Sequence, residues 1–407
     1  MGDSPGCKLD SVHSLPYGRQ HIDDDDIDAV VSVLRGDWLT TGPAVAAFET
    51  ALAEAVGAPF AVACSSGTAA LHLAALACGV QPGDYVVVPS LTFLATANAP
   101  HHAGAEIIFA DADADSGLMT ATALDQALAG AEGRRIVAAM PVHLNGQCCD
   151  LEAIADICRQ HKITVIHDAA HSLGTEYDSK RVGSDGSLHA FSFHPVKIVA
   201  MGEGGAVTTD DAALAQTMRN MRNHGMTREP RRFVNPEFAF GIDGQANPWY
   251  YEMFAPGFNY RASDLHCALG ASQLVKLNRF VARRRELADH YDSLIGSLAP
   301  VVMPVSRVEG CHPAWHLYVV LIDFAAVGKD RATVMRELKA RSIGTMVHYL
   351  PVHRQPYYRK RYGEVSLPGA MRYYERALSL PLFPEMRDDD VERVLSILAE
   401  VLGIRMG

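Results

Sequence analysis

Long apolar runs are missing from this chain. No stretch approaches the ~18 consecutive apolar residues of a membrane span, so no transmembrane helix and no membrane partner are expected. Basic residues are also in short supply: 36 lysines and arginines stand against 47 aspartates and glutamates, a formal charge of −11. That balance argues against nucleic acid as a main partner, because neutralising phosphates needs a basic face. An anionic small molecule stays open, since the local field of a pocket can oppose the net charge. The opening MGDSPGCKLDSVHSLPYGRQ has no apolar core of a secretory signal, and Gly6 breaks the Met-Gly myristoylation pattern. The eight cysteines, at 7, 64, 78, 148, 149, 158, 267 and 311, form no C-x-x-C pair and no Cys/His zinc spacing. They read as free thiols of a reducing cytoplasm, several of them buried, and no metal site is expected.

What is present is ordinary for a globular protein. Of 407 residues, 48% are apolar and 20% charged, enough for two or three folding units without staples. Four aspartates at 23–26 precede IDAVVSVL and read as a helix start; consecutive aspartates on a helix diverge too much for a metal site. From residue 60 short apolar runs alternate with helical stretches. FAVAC (60–64), DYVVVPS (84–90), EIIFADAD (106–113), RIVAAMPVH (135–143), TVIHDAAH (164–171), AFSFH (190–194) and AVTTD (206–210) read as strands. TAALHLAALACG (68–79), TANAPHHAG (96–104) and LEAIADICRQHK (151–162) read as helices between them. This pattern predicts an α/β fold, a mainly parallel sheet with helices on both faces, with ligands at the carboxyl ends of the strands. Residues 226–250 lack periodicity and read as a long loop. A long helix is expected over 263–297, then a second, smaller α/β unit with strands near 316–322 and 345–350 and helices near 330–341 and 388–402.

Three segments carry chemistry. CSSGTAALHLA (64–74) sets Gly67 between a strand and a helix, where the amides of Thr68 and Ala69 and the hydroxyls of Ser66 and Thr68 suit a phosphate; an ordinary helix cap has the same pattern. TVIHDAAHS (164–172) ends a buried strand on Asp168, where ligands bind in parallel sheets; the plain alternative is a capping aspartate, and His171 by itself reads as structural. FSFHPVKIVAMGEGGAVTT (191–209) places Lys197 between Ser192 and a glycine-rich reversal, a setting in which burial lowers an amine's pKa. A phosphate cradle, an acid after a strand and a buried lysine together suit pyridoxal phosphate. Phe93, in SLTFLATANA (90–99), is available to cover its ring, with plain core as the alternative.

The ordered set GDWLTTGPAVAAFE, SSGTAALHLA, PSLTFLATANA, HDAAHSLGT, FSFHPVK, GEGG, RNHG, PGFNYRASDLHCALG, AWHLYVV, VHYLPVHRQPYY and SLPLFP resembles the DegT/DnrJ/EryC1/StrS sugar aminotransferases over nearly the whole chain. The resemblance implies a fold-type I pyridoxal phosphate enzyme, with a large cofactor-binding domain over 15–262 and a small domain over 263–407, to which residues 1–14 belong as an option. It implies that Lys197 forms the Schiff base and that Asp168 holds the pyridine nitrogen. Phe93 stacks on the ring, Gly67, Thr68 and Ser192 bind the phosphate, and His171 lies near the phenolic oxygen. Asn259 reaches the cofactor phosphate of a neighbouring subunit in a homodimer. PYGRQ, FSFHPVK, PWYYEM before GFNYR and VHYLPVHRQPYY are similar to the pseudaminic acid branch, which implies amination at C4 of a UDP-4-keto-6-deoxy-N-acetylhexosamine with L-glutamate as donor. Other 4-keto or 3-keto nucleotide sugars, and a non-catalytic regulator on the same fold, are the alternatives. His348, Tyr349, His353 and Tyr357 are read either as pocket lining or as a seam between domains, and Trp249 and Tyr250 share that ambiguity.

Overall fold

Seven of the apolar runs pair into one sheet, described in a computed structural model that covers residues 13–405. Residues 1–12 of the opening segment, Cys7 among them, lie outside the described residues. The strands are β1 (Phe60–Cys64), β2 (Tyr85–Pro89), β3 (Glu106–Ala110), β4 (Ile136–Ala139), β5 (Thr164–Asp168), β6 (Leu188–Ser192) and β7 (Gly205–Thr209). Their spatial order is β1-β7-β6-β5-β4-β2-β3. All neighbours are parallel except β7, which runs antiparallel to β1 and β6. Parallel strands covered on both faces need apolar residues at successive positions, which is why these runs do not alternate. The helix Gly67–Ala77 is buried at every position from Ala69 to Ala75, and its small side chains let it lie on β6 and β7.

A second sheet of three antiparallel strands, β8 (Val302–Pro304), β9 (Tyr318–Ile322) and β10 (Ala377–Leu380), belongs to the later part of the chain. The helices near 330–341 and 388–402 are Arg331–Ala340 and Asp388–Leu402. Three expectations need correction. The helix over 263–297 is two helices, Asp264–Val275 and Leu277–Ile295, separated at Lys276, where the backbone tightens to an i→i−3 bond with Gln273. Residues 345–350 form no strand. Gly344 bonds to Leu15 and Met346 makes one bridge to Ser379, and the backbone leaves before a ladder can extend. The loop over 226–250 carries a two-residue strand, Met226–Thr227, paired with Glu252–Met253, and short helical turns at Pro230–Arg232 and Pro236–Ala239. The aspartate run does start a helix, Asp24–Arg35, with Asp23 and Asp26 as a capping box. Lys276 pairs with both carboxylates.

Strand alternation sends neighbouring residues to opposite faces, so His167 and Asp168 at the end of β5 point apart. On the face away from Asp168, three buried histidines stack. His167 and His189 are register partners with rings 4.3 Å apart, and His143 lies 4.9 Å from His167. Asp185 accepts from His189 Nε2 at 2.7 Å. Burial pushes His143 down to about 3 and His167 well below the ordinary imidazole value. In the unfolded chain both take up protons near pH 6.5, so U binds more protons than N and stability rises with pH across this interval. The contribution is present above about pH 6.5 and is lost as pH falls toward 3. Urea unfolding between about pH 4 and 7 should show a slope shallower by up to about one proton in His143→Gln; equal slopes would remove His143 from the account.

Candidate active site

Parallel strands end on one edge of the sheet, and the segments that leave this edge enclose a cavity of about 450 Å³. After β1 come Ser66, Gly67 and Thr68. After β2 come Thr92 and Phe93. Asp168 and His171 follow from β5, and Ser192, His194 and Lys197 from β6. The later part of the chain adds His316, Met346, His348 and Tyr349, and Tyr17 enters from the start.

Asp168 is 5% exposed. Its Oδ2 accepts from the Thr96 hydroxyl at 2.6 Å and its Oδ1 from the Ala170 amide at 3.1 Å. Burial pushes this carboxyl up, against the pull of Thr96, Ala170 and the Lys197 ammonium. Lys197 sits in the turn after β6, with its amide donating to the His194 carbonyl at 2.8 Å. Burial lowers its amine to about 8, with Asp168 opposing the shift. Its Nζ has no hydrogen-bond partner among the described residues.

Gly67 opens its helix, and Ser66 caps it by accepting from the Ala69 amide at 3.1 Å. A Cβ on Gly67 would lie 2.8 Å from the Cβ of Ser192, so only glycine lets the helix N-terminus and Ser192 share one concave wall. Phe93 is 54% exposed, which removes the core reading, and its ring lies 5.7 Å from that of Tyr349. His171 is buried; its Nδ1 accepts from the Asn145 amide at 3.4 Å, which leaves the proton of the neutral ring on Nε2, 3.2 Å from the Tyr349 hydroxyl. Burial, then the positive charge of Lys197, holds His171 well below the ordinary value, so it is neutral.

The VHYLPVHRQPYY motif divides. His348 and Tyr349 line the cavity, whereas His353 is tied to the Ser90 hydroxyl behind it and Tyr357 bonds to His101 Nε2 at 2.6 Å. Trp249 is 72% exposed and lies off the cavity, and Tyr250 donates to Glu252 at 3.1 Å. Asn259 is exposed and does not line this cavity. Thr96, His316 and Tyr17 are additions that sequence reasoning did not single out. Each lies in a run that the resemblance quotes, Thr96 in PSLTFLATANA, His316 in AWHLYVV and Tyr17 in PYGRQ, but nothing local in those runs marks the residue itself.

Pyridoxal phosphate requires an amine, an acid for its ring nitrogen, donors for its phosphate and a ring platform. The residues present fit it. An amine without a hydrogen-bond partner among the described residues, a buried carboxyl with spare acceptor capacity and a helix N-terminus cleared by a glycine all face one cavity.

Residues 20–399 match the DegT/DnrJ/EryC1/StrS aminotransferase family. The spore coat polysaccharide biosynthesis protein SpsC of Bacillus subtilis is 40% identical over 96% of this chain and 97% of its own. The UDP-4-amino-4-deoxy-L-arabinose–oxoglutarate aminotransferase of Shewanella sediminis is 38% identical over 96% of this chain and 98% of its own. Among solved structures, Helicobacter pylori PseC, an aminotransferase involved in the biosynthesis of pseudoaminic acid, superposes with a TM-score of 0.85 at 27% identity, covering 96% of this chain and 100% of that one. Streptococcus pneumoniae Spr1654, solved in a PLP-form and a PMP-form, gives 0.86 at 26% identity, covering 96% of this chain and 99% and 98% of those.

Gly67→Ala tests the cradle. The added methyl forces the helix N-terminus and Ser192 apart, and overpacking of this kind costs roughly 1–3 kcal/mol. Fluorescence titration of the apoprotein should show pyridoxal phosphate affinity falling by about tenfold or more; an unchanged Kd would place the phosphate elsewhere.

Proposed function

The chain belongs to the DegT/DnrJ/EryC1/StrS aminotransferase family and is a sugar aminotransferase whose cofactor is pyridoxal phosphate; from this premise we propose that it moves the amino group of L-glutamate to C4 of a UDP-4-keto-6-deoxy-N-acetylhexosamine, a reaction of the pseudaminic acid type. The observation that carries the reaction class is the meeting of Lys197, Asp168, Phe93 and the Gly67 helix start in one cavity. The sugar is supported by the likeness to PseC. Glutamate as donor is supported by the oxoglutarate in the Shewanella relative's name, since oxoglutarate is the keto acid that glutamate leaves behind. That relative also favours a second reading, amination of another 4-keto UDP-sugar.

In this reading residues 15–262 bind the cofactor and residues 263–407 close over it with His316, His348 and Tyr349. Two chains share their sites in the cytoplasm, with Asn259 of each turned to the cofactor phosphate of the other. The exposure of Asn259, away from its own chain's cavity, supports that assignment.

When bound, pyridoxal phosphate supplies an aldehyde that accepts an amino group and a ring that takes up carbanion charge. Lys197 holds the cofactor and, once released, moves a proton at Nζ; an amine lowered to about 8 is neutral often enough to do both. Asp168 supplies the negative charge that keeps the ring nitrogen protonated, and a cation against its carboxylate offsets the burial that pushes it up. Thr96 and the Ala170 amide fix the carboxylate's direction. Gly67, Thr68 and Ser192 bind the phosphate, with helix-terminal amides as donors. Phe93 covers one face of the ring. His171, neutral and with its Nδ1 held by the Asn145 amide, would offer its Nε2 proton, beside Tyr349, to the phenolic oxygen of the bound cofactor.

Lys197→Ala should lose the visible absorbance of lysine-bound cofactor, and turnover should fall by about a thousandfold or more; wild-type turnover in that variant would end the assignment. The substrate is tested by NMR analysis of products formed from glutamate and a panel of keto UDP-sugars. The expected product is the 4-amino-4,6-dideoxy-N-acetylhexosamine, and selective amination of a different sugar would replace the reading.

A further inference from the structure

Cys148 and Cys311 lie far apart in the chain and side by side in the fold. Cys148 is in the loop after β4. Cys311 begins the short strand Cys311–His312, which pairs with Glu176–Tyr177. Their sulfurs are 3.5 Å apart. Both the Cys148 thiol and the Cys148 amide, at 3.4 Å, donate to the Cys311 sulfur. Two donors on one sulfur favour its thiolate. Arg285 adds positive charge alongside, its guanidinium anchored on the carbonyls of His312 at 2.8 Å and Pro313 at 2.9 Å. Cys311 is half-buried and Cys148 buried, so an attacking thiolate is within reach of solvent and a second thiol is shielded behind it. The other described cysteines lack this arrangement. The thiols of Cys64 and Cys149 donate to the carbonyls of Ser66 and Val142, and burial pushes Cys64, Cys78, Cys149, Cys158 and Cys267 up to about 12.

We propose that Cys148 and Cys311 are a reversible thiol–disulfide pair, a modification site distinct from the transamination chemistry, whose oxidant is a low-molecular-weight disulfide such as glutathione disulfide. The Cys311 thiolate attacks one sulfur of the small disulfide. That S–S bond breaks, one small thiolate leaves, and Cys311 carries the other half as a mixed disulfide. Cys148 gives its proton to the departed thiolate, and its sulfur attacks that of Cys311, expelling the second small thiolate. The expelled thiolate takes from solvent the proton that Cys311 had released. Two protein thiols lose two electrons and two protons, and the small disulfide gains them as two thiols. The sulfurs close from 3.5 Å to about 2.05 Å. In a reducing compartment such pairs are transient and redox-sensing rather than structural.

The segment that carries Cys311 runs on to His316, which lines the cavity. Thr175 Oγ1 donates to the Gly146 carbonyl at 2.6 Å and accepts from the Ala314 amide at 3.0 Å, tying the two cysteine-bearing segments together. The second of them leads to His316, whose ring lies 4.3 Å from that of His171. Closing the sulfurs therefore shifts the setting of His316 against the cofactor.

The test uses the holoenzyme, equilibrated in glutathione buffers from fully reduced to fully oxidised, quenched by alkylation and mapped by mass spectrometry. The expected result is one cross-linked peptide pair, Cys148 with Cys311, two hydrogens lighter than the reduced peptides and reversed by dithiothreitol. Cys148→Ser should instead trap a lasting glutathione adduct on Cys311, and Cys311→Ser should leave Cys148 unmodified. The visible circular dichroism of the bound cofactor should change on oxidation in the wild type and not in Cys311→Ser. Oxidation beginning at any other cysteine, or a stable glutathione adduct on wild-type Cys311 with no cross-link, overturns the proposal. The wild-type map decides this without any variant. An oxidised pair with an unchanged cofactor spectrum overturns the coupling to His316.

Discussion

One small cavity holds a carboxyl and an amine, and burial acts on both against their charged forms. Asp168 is pushed up and Lys197 down to about 8, each softened by the other's presence. A carboxylate out of water is costly unless something positive faces it. An amine out of water is correspondingly ready to give up its proton. The site is therefore built for a ligand that brings a cation to the acid and an electrophile to the amine. Most of the surrounding structure holds that pair in place: Thr96 and the Ala170 amide grip the acid, and the turn closed on the His194 carbonyl carries the amine.

The sheet explains how residues so far apart in the chain meet. Parallel strands deliver each following segment to the same edge, so the ends of β1, β2, β5 and β6 open onto one space. β7, running antiparallel between β1 and β6, begins at Gly205 beside Ser66, where a Cβ would lie only 2.1 Å from the Ser66 carbonyl oxygen. That close approach holds the end of β1 against the neighbouring strand and sets the start of the Gly67 helix beside Ser192. The stacked histidines lie on the opposite face, away from the cavity.

Much of the site was legible because its chemistry is local in sequence. A glycine between strand and helix, an acid at a strand end and a lysine before a glycine-rich reversal each have a physical signature within about ten residues. Phe93 was legible only as a choice between platform and core, and its exposure removes the core reading. Thr96 was illegible as a partner of Asp168, because nothing local connects a helix residue to a strand end on another element. The VHYLPVHRQPYY motif shows the same limit. His348 and His353 look equivalent in sequence, yet one faces the cavity and the other is bonded to Ser90 behind it.

By itself the sequence determined the strand–helix alternation, the mainly parallel sheet that follows from it, and the amine, acid and glycine-turn segments that meet at the cavity, since each follows from apolar periodicity and side-chain chemistry within a short window. Tertiary structure alone decided where the 263–297 helix breaks, why 345–350 bridges once instead of forming a strand, which aromatic and imidazole groups face the cavity, and that Cys311 rests on Cys148. Those outcomes depend on distances between segments remote in the chain, and such distances are set by how the whole core packs, which no short window of residues encodes.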